Sequence, residues 1–247
     1  MLIKIKMICF YIIISSFCFC EEKTNDSKYF GGWPHNDKKD KIEGSPLNYI
    51  CPNSIGCDCN NNKDCINNNC IRSPKGSFCY PKNGDIFPEF ISIDQYEDVV
   101  NLYDFANQGK YILIELGAVW CSPCNDLGEW FAYNDKSITS KRFWKPEYQK
   151  IYDMVHNGDI YFITILYEDE NRDNASYETI YEWFDNYPDE NIPILIDESK
   201  MLHSWAKPSG IPAITLLNEN MEIIHFSSRG LNGAFDKLLE IVNNNEE

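Results

Sequence analysis

The sequence predicts an α/β fold, in which a mixed central sheet is flanked by helices and is preceded by a small disulfide-rich segment. Strand and helix patterns alternate from residue 91 to residue 243, and the last two strand patterns form a hairpin. Six of the 11 cysteines lie within residues 51–79. Strands that alternate with helices are typical of sheets with parallel neighbours, and a closing hairpin makes such a sheet mixed.

Apolar runs and capping signals set the order of the elements in residues 91–243. Ser92 and Gln95 have the spacing of a capping box and precede apolar residues at helical intervals, which predicts a helix over 93–103. Strands are then predicted at 111–116, 160–167, 192–196, 213–217 and 222–227. Further helices are predicted at 126–133, 146–156, from Ser176 onward, at 200–206 and from Asn232 to about Val242, whereas 134–145 is predicted to be a loop.

The amino terminus has the pattern of an export signal. Two lysines precede an apolar run from Met7 to Cys20, which is followed by acidic residues. The run is shorter than the roughly 20 residues that a membrane span needs. We therefore predict a signal peptide over 1–20 and export to the periplasm, the cell surface or a secretory lumen. Lipid attachment at Cys20 or Cys18 is an open alternative to simple cleavage.

The acidic composition argues against a nucleic-acid partner. The chain of 247 residues has a formal net charge of −16 and contains no basic stripe, so its surface repels phosphate backbones. Residues 21–50 are rich in Lys, Asp, Asn and Gly with few periodic apolar positions. Such a composition predicts a flexible tether.

Residues 51–82 form a cysteine-rich segment with almost no aliphatic residues, so it can hold a fixed shape only through covalent cross-links. Eight cysteines follow the leader, an even number that an oxidising compartment would pair. Structural disulfides are expected among Cys51, Cys57, Cys59, Cys65, Cys70 and Cys79, in a pairing that the sequence leaves open. A zinc site is disfavoured because Cys57 and Cys59 are too close for a ligand knuckle and no histidine lies between 36 and 155.

The other two cysteines form a candidate redox pair. Cys121-Ser122-Pro123-Cys124 directly follows a predicted strand and begins a predicted helix. A thiol at a helix start lies near unpaired N–H groups and the positive end of the helix dipole, which favour the thiolate. Cys121 would be that partly exposed thiol, and Cys124, one turn later, could close a disulfide with it. Pro123 stiffens the turn between them.

The run ILIELGAVWCSPC resembles the active-site segment of the thioredoxin superfamily, in which Trp precedes the first cysteine and Pro precedes the second. Trp120 and Pro123 match these two positions. The downstream run Ser209-Gly210-Ile211-Pro212 is similar to the family's cis-proline loop. The resemblance implies that Ile211 and Pro212 lie against the redox pair and position the substrate.

Glu115 lies six residues before Cys121, where thioredoxins often have a buried acid. The resemblance therefore implies that Glu115 moves protons to and from the resolving thiol. Between the strand at 160–167 and Pro212 the chain adds a helix, a strand and another helix, an insertion that resembles the exported TlpA-like proteins. The likeness covers residues 91–243.

The resemblance implies a thioredoxin-like fold and a thiol–disulfide oxidoreductase in which Cys121 attacks and Cys124 resolves. The partners would be protein thiols and disulfides together with a further redox partner, and no dissociable cofactor or metal is implied. Two alternatives stay open. A peroxiredoxin-like peroxidase shares the inserted architecture but typically has an isolated nucleophilic cysteine, and a non-enzymatic binding protein would act through residues 51–79.

Overall fold

A computed structural model describes residues 28–44, 47, 51–73 and 76–245 of the chain. The predicted signal peptide over 1–20, including Cys18 and Cys20, lies outside the described residues. Among the residues that are described, no helix combines the length and the apolar character needed to cross a bilayer.

In the described part of the chain five strands precede the first α-helix, and strands and helices follow one another from the fifth strand onward. The strands are β1 (Cys70–Ser73), β2 (Gly76–Cys79), β3 (Ile91–Ile93), β4 (Val99–Asn101), β5 (Ile112–Gly117), β6 (Tyr161–Leu166), β7 (Ile194–Ile196), β8 (Ala213–Leu217) and β9 (Ile223–Phe226). The α-helices are α1 (Ser122–Tyr133), α2 (Gln149–His156), α3 (Tyr177–Asn186), α4 (Met201–Ala206) and α5 (Asn232–Asn245). Short 3-10 turns lie at Lys39–Lys41, Asn62–Asp64, Leu102–Phe105, Ser137–Ser140 and Pro146–Tyr148.

Five of these strands form the central sheet in the order β7-β6-β5-β8-β9. β5 pairs in parallel with β6, and β6 pairs in parallel with β7. β8 runs antiparallel to both β5 and β9. The predicted mixed α/β sheet is confirmed. β5 lies at its centre with all six residues buried, which explains why the sequence of this strand is nearly all apolar.

The two faces of the sheet carry separate apolar cores. Ile112 and Ile114 point into a core that includes α4 and the chain amino-terminal to β5. Leu113 points to the opposite face, where α1, α2 and α5 pack. Because side chains alternate along a strand, Glu115 and Gly117 share the face of Leu113, which is the face that α1 covers.

Residues 91–105 differ from the sequence prediction, because they form no α-helix. β3 and β4 pair as an antiparallel hairpin, and the Leu102–Phe105 turn follows it. The carboxylate of Asp94 accepts hydrogen bonds from the backbone N–H groups of Tyr96 and Asp98, both at 2.9 Å, and so closes the hairpin turn. Gln95 caps no helix and instead bonds to the backbone N–H of Ile194 at 2.9 Å. The β-branched residues around the turn fit the strand pattern as well as the helical one.

Residues 28–44 also differ from the prediction, because they pack against the domain where a flexible tether was expected. Tyr29 and Trp33 are buried in the core that α4 covers. The Tyr29 hydroxyl donates to the carboxylate of Asp104, and Trp33 Nε1 donates to Asp94 Oδ2 at 2.6 Å. The segment is mostly polar in composition, which is why a tether was predicted. Its two aromatic side chains nevertheless supply the area that it buries.

The cysteine-rich segment is cross-linked by three disulfides, between Cys51 and Cys57, Cys59 and Cys70, and Cys65 and Cys79. The expectation that all six cysteines pair is confirmed, and the structure supplies the connectivity. The sulfurs of Cys59, Cys65 and Cys70 lie within 4.8 Å of one another. Each of them is already bonded to another sulfur, so this cluster offers no thiolate to a metal ion.

Candidate redox site

Cys121 and Cys124 lie where β5 passes into α1. Cys121 is the residue before the helix, and the backbone N–H of Cys124 donates to its sulfur at 3.3 Å. The two side chains form a disulfide, with Cα atoms 5.2 Å apart. When this bond opens, a thiolate on Cys121 would face the first N–H groups of α1 and the positive end of its dipole. The helix start therefore stabilises the reactive form of the first cysteine.

The disulfide is more deeply buried than the sequence suggests. Only 3% of Cys121 is exposed in this oxidised state, where a partly exposed thiol was expected, and Cys124 is fully buried. Both pack with Leu166 and Trp183, and Ile211 covers the same cluster. A thiol–disulfide partner must therefore approach through the neighbouring loops.

The Ile211–Pro212 loop lies at the redox pair. The peptide bond between the two residues is cis, as the family resemblance implies. Ile211 packs on the cluster that contains both sulfurs, and Pro212 lines a cavity of about 210 Å³ together with Pro123. We call this the site cavity. It lies on the side of the redox pair that the two prolines border, which we call the open side, and neither cysteine is among the described residues that line it.

Glu115 lies beneath the pair in a buried position. Its side chain is 2% exposed, and burial raises the pKa of its carboxyl to about 8, although a hydrogen bond from Thr164 opposes the shift. Thr164 Oγ1 donates to Oε2 at 3.0 Å, whereas Oε1 has no hydrogen-bond partner among the described residues. A carboxyl with such a pKa can both take up and release a proton near neutral pH.

A small cavity lies beside Glu115 on the α3 side. Its volume is about 20 Å³, enough for one water molecule, and it is lined by Glu115, Thr164 and Asp189 among others. Asp189 forms an ion pair with His156 at 3.1 Å, and this hydrogen bond raises the pKa of the imidazole. His156 is partly exposed. Asp189 therefore borders the cavity beside Glu115 and pairs with a partly exposed histidine.

Trp120 is held by a polar network beside the disulfide. Its Nε1 donates to Glu168 Oε2 at 2.7 Å, and Lys200 Nζ donates to the other oxygen of this carboxylate at 2.6 Å. The guanidinium of Arg172 lies 3.9 Å from the centre of the indole ring. Partial burial acts to raise the pKa of the Glu168 carboxyl. The hydrogen bonds from Lys200 and Trp120 outweigh this effect and keep the pKa below its usual range. The network fixes the indole next to Cys121.

The sequence motifs do not indicate Glu168, Lys200 or Arg172, because none of them lies near the CxxC along the chain. One signal could have found Glu168. It follows the strand pattern at 160–167 directly, and the carboxyl ends of parallel neighbours meet at the same sheet edge. Lys200 and Arg172 carry no comparable signal.

The fold is thioredoxin-like. Three features define this class of fold here: the strand order, the CxxC at the start of α1 and the cis-proline loop beside it. The predicted residues Cys121, Cys124, Trp120 and Ile211 meet in one cluster, with Pro123 and Pro212 at its open side and Glu115 beneath it.

Solved structures similar to this chain include thioredoxin-domain and thiol:disulfide interchange proteins, at low sequence identity. The thioredoxin domain of a thiol-disulfide oxidoreductase from Bacteroides vulgatus is 19% identical, with a TM-score of 0.45 over 66% of this chain and 99% of that chain. A thiol:disulfide interchange protein from Bacteroides sp. is 18% identical, with a TM-score of 0.45 over 66% and 91%. The pneumococcal exposed lipoprotein thioredoxin from Streptococcus pneumoniae is 18% identical, with a TM-score of 0.44 over 63% and 98%. No protein-family model matches the chain, and no curated protein is significantly similar to it.

Proposed function

We propose that this chain is an exported thiol–disulfide oxidoreductase that exchanges disulfides with protein substrates. The observation that carries the proposal is the Cys121–Cys124 disulfide at the start of α1, with the Ile211–Pro212 loop against it. A nucleophile at a helix start, a second thiol within bonding distance and an open side for a peptide are what disulfide exchange requires.

In the reducing direction, the thiolate of Cys121 attacks one sulfur of the substrate disulfide. That S–S bond breaks, a mixed disulfide forms, and the departing substrate sulfur takes up a proton. Cys124 then loses its proton to Glu115 and attacks the sulfur of Cys121, which expels the second substrate thiol. The substrate gains two electrons and two protons, and the enzyme ends as the Cys121–Cys124 disulfide. A further dithiol partner would reduce it again.

Glu115 acts as a proton acceptor and donor for Cys124 in this scheme. Its elevated pKa and its position under the resolving cysteine support that role. The water-sized cavity towards Asp189 and His156 provides an exit for the proton. Trp120, Pro123, Ile211 and Pro212 would position the substrate peptide above the pair.

Two features support an exported location. The leader pattern precedes the described residues, and three structural disulfides stabilise the cysteine-rich segment. Such bonds persist in oxidising compartments and are rare where glutathione and thioredoxin keep thiols reduced. Mass spectrometry of the mature amino terminus distinguishes two cases. The chain is either released after cleavage or anchored through a lipid on Cys20 or Cys18.

The test uses insulin disulfide reduction by the full chain and two single variants. Cys121→Ser should abolish turnover, and Cys124→Ser should stop after the first step and accumulate a mixed disulfide with the substrate. Unchanged turnover in Cys121→Ser would overturn the proposal and favour a binding protein that acts through residues 51–79. Peroxide consumption that survives Cys124→Ser would instead indicate a peroxidase with a single nucleophile.

The direction of exchange follows from the reduction potential of the pair. Equilibration with a glutathione buffer gives this potential directly. A value near −270 mV is typical of a reductase, whereas values near −120 to −180 mV are typical of an oxidase or isomerase.

A further inference from the structure

The site cavity continues along the surface onto the cysteine-rich segment. Arg229 lines both the site cavity and a second cavity of about 540 Å³. That second cavity shares Tyr80 and Ser209 with a third cavity of about 660 Å³. The three cavities are therefore adjacent in series from Pro212 to the β1–β2 hairpin, and we call this row of cavities the basic groove.

The charge of this groove is opposite to that of the whole protein. The described residues that line it include Arg72, Lys82, Lys207 and Arg229 and contain no aspartate or glutamate, although the chain has 38 acidic residues and only 22 Lys and Arg. Among the described residues, none of these four cations is within ion-pair distance of a carboxylate. A cluster of uncompensated cations on an acidic protein attracts an acidic ligand from a distance and repels a basic one.

Arg229 lies at the junction between the redox site and the rest of the groove. A Cβ atom built on Gly210 would lie 2.9 Å from both Cδ and Nε of Arg229, so the side chain passes directly over the residue before Ile211. Because Gly210 has no Cβ, the Arg229 side chain can lie at this position. Its guanidinium is then next to the loop that would contact a bound peptide.

The far end of the groove is rigid and partly apolar. Phe78 and Tyr80 form an edge-on aromatic pair, and Lys207 Nζ lies 5.0 Å from the centre of the Phe78 ring. The disulfides hold the β1–β2 hairpin, and the backbone at Gly56 packs closely on Trp205 of α4. A preformed surface of this kind binds an extended chain with little ordering cost on its own side.

We propose that the basic groove binds an extended segment of the substrate protein that carries acidic side chains within several residues of its reactive cysteine. The cysteine-rich segment is then part of the substrate-binding site and selects substrates by charge. This inference rests on the proposed function, because the groove begins at the redox pair.

The test compares two peptide disulfides of equal length that differ only in their flanks, which carry several glutamates in one and glutamines in the other. At low ionic strength the full chain should have a kcat/KM roughly fivefold to tenfold higher for the glutamate peptide, since several exposed charge pairs each contribute a small attraction. High salt should remove most of the difference. In Arg72→Gln/Arg229→Gln the ratio of the two values should fall towards one. Lys136→Gln, near the opposite end of α1, removes an exposed cation outside the groove and should keep the ratio.

Two results would overturn the groove proposal while leaving disulfide exchange intact. One is an equal kcat/KM for both peptides, and the other is a kcat/KM ratio that Lys136→Gln lowers as much as the double variant does. Failure to exchange either peptide would count against the proposed function instead. In that case fluorescence anisotropy with Cys→Ser versions of the two peptides still tests the groove. Tighter binding of the glutamate peptide, lost in the double variant, is the expected result, and equal binding overturns it.

Discussion

The carboxyl of Glu115 and the sulfur of Cys124 border the same small space above Gly117. A Cβ atom built on Gly117 would lie 3.3 Å from Glu115 Oε1 and 3.5 Å from Cys124 Sγ. Because Gly117 has no side chain, the carboxyl oxygen that lacks a partner and the resolving sulfur face each other across this space. Burial keeps both groups away from bulk water, so the Glu115 carboxyl is placed to exchange a proton with the Cys124 thiol.

Replacing Glu115 with Gln should slow the resolving step. Glutamine keeps the shape and the Thr164 contact but cannot accept a proton, and a positioned acid–base group contributes about 10²–10⁴-fold to such steps. We expect turnover to fall by at least tenfold. We also expect an inflection near the Glu115 pKa of about 8 in the wild-type pH–rate profile, and its loss in the variant. Stopped-flow tryptophan fluorescence of the mixed disulfide measures the step. A Gln variant with wild-type rate and profile would remove Glu115 from the mechanism.

The same carboxyl makes the stability of the oxidised protein depend on pH. Its folded pKa of about 8 lies above the ordinary value of 4.5, so the folded state binds the proton more tightly than the unfolded chain does. The contribution to the free energy of unfolding is therefore complete below pH 4.5 and is lost as the pH rises to about 8. Denaturant titrations give the free energy of unfolding of wild type and of Glu115→Gln. The two values should diverge as the pH rises from 4.5 to about 8, because wild type should lose on the order of a few kcal/mol more of its stability. Parallel curves would mean that Glu115 is ionised in the fold.

A methyl group at position 117 should separate the two partners. The Cβ of Gly117→Ala would lie between the carboxyl and the sulfur. At 3.3 Å from Oε1 it would make Glu115 shift by a few tenths of an ångström, whereas at 3.5 Å it would be in ordinary van der Waals contact with Cys124 Sγ. We expect slower resolution of the mixed disulfide but an unchanged rate of the first attack, which Cys121 performs. The loss of stability should stay within about 1–3 kcal/mol, as for other small-to-large changes in packed cores. Equal slowing of both steps would point to a general distortion of the site.

The local patterns predicted most of this site because its parts are short runs of sequence. The apolar run before the CxxC, the Cys-Ser-Pro-Cys turn and the Ile-Pro pair before β8 each mark a position in the chain, and the structure brings them together. The hairpin of β3 and β4 was missed because its β-branched residues also recur at helical spacing. Glu168 and Arg229 were missed because they reach the site through tertiary packing, which a single sequence does not encode locally.

The docking of residues 28–44 can be tested through Trp33. This side chain is 6% exposed and donates to Asp94, the carboxylate that also closes the β3–β4 turn. Trp33→Ala should therefore leave a cavity and remove a hydrogen bond from a buried carboxylate, at a cost of about 3–5 kcal/mol in denaturant unfolding. Phe30→Ala is the matched control, because Phe30 lies in the same segment but is 78% exposed and should change the stability by less than about 1 kcal/mol. If both variants unfold like wild type, the segment behaves as the tether that its composition predicts, and the domain is stable without it.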